Sequence, residues 1–188
     1  MRILLRDWRL AFPNIWKVSA PRGGGEEAFS ASFIAPPTHK QVKEVDAALV
    51  SVANEKWGAK GPAVLKALLA AGKTCLHNGD DKADYEGFPG NLYISARSKV
   101  RPSAFDGLRN EIQESDGLLL SGYYVNANLE IWAQDNSYGK RINAQLRGVQ
   151  FLRKGDVFAG GGSSAGADEF DEIDASDVPA DAEVDLEA

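Results

Sequence analysis

Polar and apolar residues alternate with two different periods along this chain, and the change of period marks its elements. Residues 3–12, Ile-Leu-Leu-Arg-Asp-Trp-Arg-Leu-Ala-Phe, read as a strand ended by Pro13. Residues 29–35 alternate Phe29, Ala31, Phe33 and Ala35 with Ser30 and Ser32, the period of two of a half-buried strand. Pro21-Arg22-Gly23-Gly24-Gly25 between them reads as a hairpin loop. Pro36-Pro37 stops the second strand, and Thr38 is a candidate helix N-cap. Val42, Val45, Leu49, Val52 and Ala53 then recur at helical spacing, predicting an amphipathic helix to about Trp57. Gly61-Pro62 breaks it, and a second short helix, 63–69, ends at Gly72.

Residues 77–90 read as a polar loop, after which the period of two returns. Over 91–101, Leu92, Ile94, Ala96 and Val100 take one face and Tyr93, Ser95, Arg97, Lys99 and Arg101 the other. In a long strand, 118–134, the odd positions Tyr123, Val125, Ala127, Leu129 and Ile131 are apolar, while Tyr124 and Trp132 lie among the even ones. A loop, 135–147, leads to a last strand, 146–153. Five main strands with the helices grouped in the first half exclude alternating βαβ units. The expected fold is mainly β: a five-stranded OB-fold barrel with a helical insertion, carried by residues 1–160.

Composition changes the picture at the C-terminal end. The formal charge of −6 is an average of two unlike parts. After Gly162 there are ten acids and no Lys or Arg. Residues 1–162 hold all 21 bases against the other 17 of the 27 acids, a net of +4. Residues 161–188 therefore read as a Gly/Ser linker and an acidic tail too poor in apolar groups to fold. Such an anion, tethered to a basic body, reads as a solubiliser, as a mimic of DNA that competes for the body's cations, or as both. A basic body with an acidic tail points to a nucleic-acid or interaction protein.

Chemistry narrows this further. The outward face of 91–101 sets Tyr93 in line with Arg97, Lys99 and Arg101. Tyr138, Lys140, Arg141 and Arg147 repeat the theme in the 135–147 segment, with Tyr124 and Trp132 on the strand before it. Single strands are held by this combination, cations following phosphates and aromatic faces stacking on bases. Gly72-Lys73-Thr74 resembles the end of a P-loop, but Ala67 stands where glycine is needed, and a helix precedes it. Asp80, Asp81, Asp84 and Glu86 do not match EF-hand spacing. Cys75 is the only cysteine and reads as a small buried hydrophobe. No cofactor, metal or catalytic set is expected, and the chain reads as a non-enzyme. Charge interrupts the first apolar run at Arg6, and no stretch approaches the ~18 apolar residues of a membrane span, so a soluble, cytoplasmic protein is expected.

Several short runs also resemble a known family. They are Tyr85-Glu86-Gly87-Phe88-Pro89-Gly90, Ser95-Ala96-Arg97, Arg101-Pro102, Ser121-Gly122-Tyr123-Tyr124-Val125-Asn126-Ala127, Trp132-Ala133-Gln134-Asp135-Asn136 and Gly148-Val149-Gln150-Phe151. Together they are similar to the phage-type single-stranded DNA-binding proteins, a family formerly held as a domain of unknown function. The resemblance implies one OB fold, DNA held across the barrel face by aromatic and basic residues, and location in the infected bacterial cell. It implies sequence-independent binding in phage DNA replication, recombination and repair. It also implies an acidic C-terminus that contacts replication proteins, here through Asp168, Glu169, Phe170, Asp171 and Glu172. The alternative is a phage structural or assembly protein whose acidic tail recruits partners. A homodimer is left open.

Overall fold

A computed structural model describes residues 1–20 and 24–158. The linker, the acidic tail and Asp168–Glu172 lie outside the described residues, as does Pro21-Arg22-Gly23 of the first loop. Seven strands and two α-helices run in the order β1 (Arg2–Ser19), β2 (Ala28–Ala35), α1 (Val42–Trp57), α2 (Gly61–Ala70), β3 (Leu76–Asn78), β4 (Leu92–Ser98), β5 (Ser103–Phe105), β6 (Tyr124–Asn136) and β7 (Gly139–Arg153).

Five of these strands close a barrel. β1 pairs antiparallel with both β2 and β6, β2 with β4, and β6 with β7, while β7 returns to β4 in parallel at Gln145 and Arg97. This is the expected OB-type barrel, and the two remaining strands are short additions: β3 on β4, and β5 on β7. The interior follows the period of two. Phe33, Ile94, Val125, Leu129, Ile131, Ile142 and Leu146 are all buried in one cluster with Leu5, Leu10 and Ile15 of β1. The helices belong to that same cluster through Val45, Leu49 and Val52 of α1 and Leu65 and Leu68 of α2, so the insertion completes the barrel's core. Cys75 is buried there too, and burial pushes its thiol up to about 12. No helix among the described residues is long and apolar enough to cross a membrane.

Several boundaries differ from the sequence reading, and four of them have local reasons within the barrel. Pro13 does not end β1. The register with β2 shifts between Ala11 and Asn14, a bulge, and a bulge tolerates a residue without an N–H. Thr38 does not cap α1. Gln41 occupies the N-cap position, and its buried side chain is taken by β1: its Oε1 accepts from the Arg6 N–H at 2.6 Å and its Nε2 donates to the Leu4 carbonyl at 3.0 Å. The strand expected over 118–134 starts only at Tyr124, after Gly122 turns at a φ of 101°. The segment 135–147 is no loop. Asn136 and Gly139 close a tight hairpin, and β7 runs from there. The alternation of buried Ile142, Ala144 and Leu146 with Arg141, Asn143, Gln145 and Arg147 was the signal for it.

Candidate nucleic-acid interface

Two outer faces of the barrel carry aromatic and basic residues together. The first covers β1, β2 and β4, the second the β6–β7 ribbon.

On the first face, side chains pointing away from the core form a second apolar cluster: Ala11, Ile34, Phe88, Tyr93 and Phe158, with Phe12 and Tyr85 packed beside it. The polar loop after β3 makes this possible. Asn78 accepts from the Asp80 N–H at 3.1 Å and Asp80 accepts from the Gly90 N–H at 2.8 Å, drawing the loop over the sheet. A Cβ at Gly79 would run into the Phe88 carbonyl, so only glycine permits that approach. The loop thereby lays Phe88 against Tyr93, ring centroids 5.1 Å apart, and Tyr85 against Phe12 at 5.2 Å. His77 of β3 stacks on Tyr93 at 4.9 Å.

Beside this cluster the sheet is open. A trough of about 570 Å³ is lined by Phe12, Asn14, Ser19, Ser30, Ser32, Lys82, Tyr85, Ser95 and Arg97. Its floor is small and hydroxyl-bearing because Ser30 and Ser32 of β2 lie opposite Arg97 and Ser95 of β4. Its walls are aromatic and cationic. The Lys82 ammonium sits 4.5 Å from the Tyr93 ring centre and 5.2 Å from that of Phe12. Burial lowers the Lys82 pKa from its ordinary value. Arg97 donates to the Glu26 carbonyl at 2.8 Å, a neutral partner. A smaller hollow of about 310 Å³ continues the trough past Arg97 to Lys99. Lys99 pairs with Glu26 at 2.6 Å, which holds the Glu26 carboxyl below its usual range. Arg101 lies over the Trp16 ring at 5.2 Å.

The sequence reading placed Tyr93, Arg97, Lys99 and Arg101 on one strand face. The structure corrects this in two ways. Tyr93 is 6% exposed and supports the aromatic cluster rather than facing solvent. β4 ends at Ser98, whose hydroxyl accepts from the Val100 N–H at 3.1 Å, so Lys99 and Arg101 lie in the segment that leads to β5. Arg97 is exposed as expected. Phe12, Trp16, Lys82 and Tyr85 were not singled out individually. Their signal was Phe-Pro inside an otherwise regular strand, and an aromatic–glycine run closing a polar loop.

On the second face most cations already have carboxylates. Arg147 pairs with Glu130 at 2.9 Å and Lys140 with Asp135 at 2.7 Å. Asp135 also accepts from the Trp57 indole at 2.8 Å, and these two bonds hold its pKa low. Tyr124 is covered by Arg153, whose guanidinium carbon is 3.3 Å from the ring centre, and Arg153 itself pairs with Asp7 at 2.8 Å. Arg141 is exposed on β7, opposite Gln134. Trp132 is 44% exposed beside Met1, Glu55 and Lys56, and Tyr138 at the hairpin tip is 88% exposed. The structure thus places Tyr124, Trp132, Tyr138, Lys140, Arg141 and Arg147 on one ribbon, while Arg97 lies on β4 and Lys99 and Arg101 beyond its end.

A five-stranded OB barrel with an aromatic and cationic trough across its strands has the build of an oligonucleotide-binding module. Comparison with known proteins narrows the class. The family described as Enterobacter phage Enc34, ssDNA-binding protein, matches residues 1–182, and the chain belongs to that family. Protein p50 of Acyrthosiphon pisum secondary endosymbiont phage 1 is 39% identical over 176 residues, 92% of this chain and 94% of that protein. The single-stranded DNA-binding protein of bacteriophage Enc34, solved in complex with ssDNA, superposes with a TM-score of 0.70 at 26% identity, covering 84% of this chain and 89% of its own. Gp2.5, a single-stranded DNA-binding protein encoded by bacteriophage T7, shares the fold at a TM-score of 0.57 and 12% identity, covering 98% of each chain.

Proposed function

We propose that this chain binds single-stranded DNA without sequence preference, laying the strand along the trough of β1, β2 and β4. The observation that carries the reading is the trough itself. It joins stacking surfaces, Phe12 and Tyr85, to the cations Lys82 and Arg97 over a floor of serines. Bases of any identity have faces to stack, and the phosphates need only cations, so the site is indifferent to sequence. The match to a relative solved with ssDNA supports the same ligand. Arg97, Lys99 and Arg101 follow the backbone at one end. Tyr138, Trp132 and Arg141 offer a secondary contact on the ribbon, where Lys140, Arg147 and Tyr124 must first exchange partners.

Membership of the phage family supports a setting in the protection of single strands during phage DNA replication, recombination and repair, in the cytoplasm of the infected host. The acidic tail, through Asp168–Glu172, is the handle for replication proteins. The test is fluorescence anisotropy of labelled oligo-dT, mixed-sequence single strand and duplex. Comparable affinity for the single strands and much weaker duplex binding is expected. Equal affinity for duplex and single strand would remove the reading in favour of a phage assembly protein with a basic surface.

A further inference from the structure

The trough is not the only hollow beside Phe12. A second, of about 340 Å³, is lined by Phe12, Pro13, Asn14, Trp16, Glu114, Leu119 and Leu120. The two hollows share Phe12 and Asn14, so this part of β1 is the ridge that divides them. Both volumes fall in the ~300–1,000 Å³ range of sites that hold small molecules.

The ridge has a costly backbone. Phe12 has a φ of 49°, the left-handed region, where a bulky aromatic residue is an outlier. It also precedes Pro13, whose ring narrows the conformations of the residue before it. A residue held this way is strained, and such strain persists where the surrounding structure over-determines it. Here the bulge between Ala11 and Asn14 imposes it. The ring is held from the trough side. It stacks on Phe88 at 5.5 Å with 26° between planes, meets Tyr85 edge to face at 5.2 Å, and has the Lys82 ammonium 5.2 Å from its centre. A glycine would take this backbone without penalty. The chain carries phenylalanine instead.

Resting on the single-stranded DNA reading, we propose that Phe12 is a wedge that separates two adjacent bases of the bound strand. One base enters the trough beside Tyr85, its phosphate near Lys82 and Arg97. The next enters the second hollow beside Trp16. The strand crosses β1 at the bulge, and the base step that straddles the ridge is unstacked. The same ridge should exclude a duplex, because paired, stacked bases cannot straddle it.

Two variants separate the ring from the fold. Phe12→Gly relieves the left-handed backbone and removes the ring. Phe12→Leu keeps apolar bulk but has no π-face. Oligo-dT affinity should fall about 10- to 100-fold in both, the loss of one stacked base, while Phe12→Tyr stays near the parent. The melting temperature of Phe12→Gly should stay within a few degrees of the parent. Should that variant fail to fold, Phe12→Leu against Phe12→Tyr decides the same point. The wedge itself is read with a short oligo-dT carrying two neighbouring 2-aminopurines, which quench each other when stacked. Saturating parent protein should raise their fluorescence, and Phe12→Leu should raise it far less. Equal affinity of parent and Phe12→Leu, or no fluorescence rise with the parent, overturns the wedge while leaving the DNA reading in place. A parent that does not bind oligo-dT at all brings down the underlying reading itself.

Discussion

The trough face and the β6–β7 ribbon look alike in sequence, and the structure makes them unlike. Each offers tyrosines among Lys and Arg. Among the described residues, four of the five ion pairs lie on the ribbon and the start of β1 beside it, against one on the trough face. Glu130 alone takes both Arg2 and Arg147. In the trough, Arg97 bonds a neutral carbonyl and Lys82 faces rings. A phosphate arriving at Arg147 or Lys140 must displace a carboxylate; one arriving at Arg97 or Lys82 does not. Exposed pairs are worth only ~0–1 kcal/mol, so the ribbon is not closed to DNA, but its charge is largely cancelled in advance.

The sharpest way to break this comparison is to remove two cations from each face. Changing Lys82 and Arg97 together to Ala should weaken oligo-dT binding by at least about 100-fold, since each of the two hydrogen bonds to a charged group contributes about 1.5–3 kcal/mol. It should also flatten the slope of log affinity against log salt by ~1.4, at about 0.7 per phosphate contact on single strands. Changing Lys140 and Arg147 together should move affinity by no more than ~3-fold, as expected of exposed, already paired charges. Titrations at several salt concentrations check both. A larger effect and slope change from the ribbon pair would reverse the assignment.

The aromatic residues give the next largest contrast. Tyr85→Ala removes a trough wall and should reduce affinity about fivefold, the lower end for a stacked base. Tyr138→Ala, at a hairpin tip, should cost less than ~3-fold on the same scale. Anisotropy on one oligonucleotide, with circular dichroism to confirm folding, compares them directly. Equal losses would mean that the strand reaches the tip and wraps both faces.

These contrasts also show what was legible in the sequence. The barrel was, because its strands bury one face and the period of two announces it: Val125, Ala127, Leu129 and Ile131 are all fully buried. The interface was only half legible. Alternation says that Tyr93 leaves the core face of β4, and it does; it cannot say that Phe88 arrives from a loop to cover it. That contact is set by glycines and by Asp80, whose roles are visible only once the loop is folded. Pro13 looks like a strand end because proline lacks a ladder donor, yet a bulge is a place where no donor is missed. The pairing of the charges is not legible for a related reason. Glu130 and Asp135 are on the same ribbon as Arg147 and Lys140, and cross-strand register, not sequence distance, decides which of them meet.

A smaller effect would sharpen the comparison from the other side. If carboxylates mask the ribbon, removing them should recruit it. Glu130→Gln leaves Arg2 and Arg147 without a charged partner and adds one to the net charge. Oligo-dT affinity should rise ~2- to 5-fold at low salt, and the gain should fade as salt screens it, with a Debye length of ~10 Å at 0.1 M. Asp135→Asn should act in the same direction but less, because Trp57 also leans on that carboxylate. No gain in either variant would mean that the ribbon lies off the DNA path altogether.

The smallest expected effect concerns the frame between the two faces, and it is read by pH. His77 stacks on Tyr93 under the trough, and its pKa is lowered from 6.5, first by burial and then by the charge of Lys82, with Asp81 opposing and Arg141 of the ribbon adding a little. The folded protein therefore prefers the neutral ring. Below about pH 6.5 the unfolded chain takes up a proton here that the folded chain resists, so the unfolded state binds more protons and stability rises with pH in that window. The contribution is fully present above the unfolded value and is lost as pH falls through the lower, folded one. His77→Phe keeps a flat ring against Tyr93 and removes the titration. Melting temperatures of the parent and of this variant, taken from about pH 7.5 down to about pH 5, should diverge, the parent falling further. The gap should be no more than a few degrees, since about 1 kcal/mol moves the midpoint by ~2–4 °C in a chain of this size. Parallel curves would mean that the imidazole is already well solvated. The loop carrying Tyr85 and Lys82 would then owe its place over the sheet to Phe88, Asn78 and Asp80 rather than to the His77–Tyr93 stack.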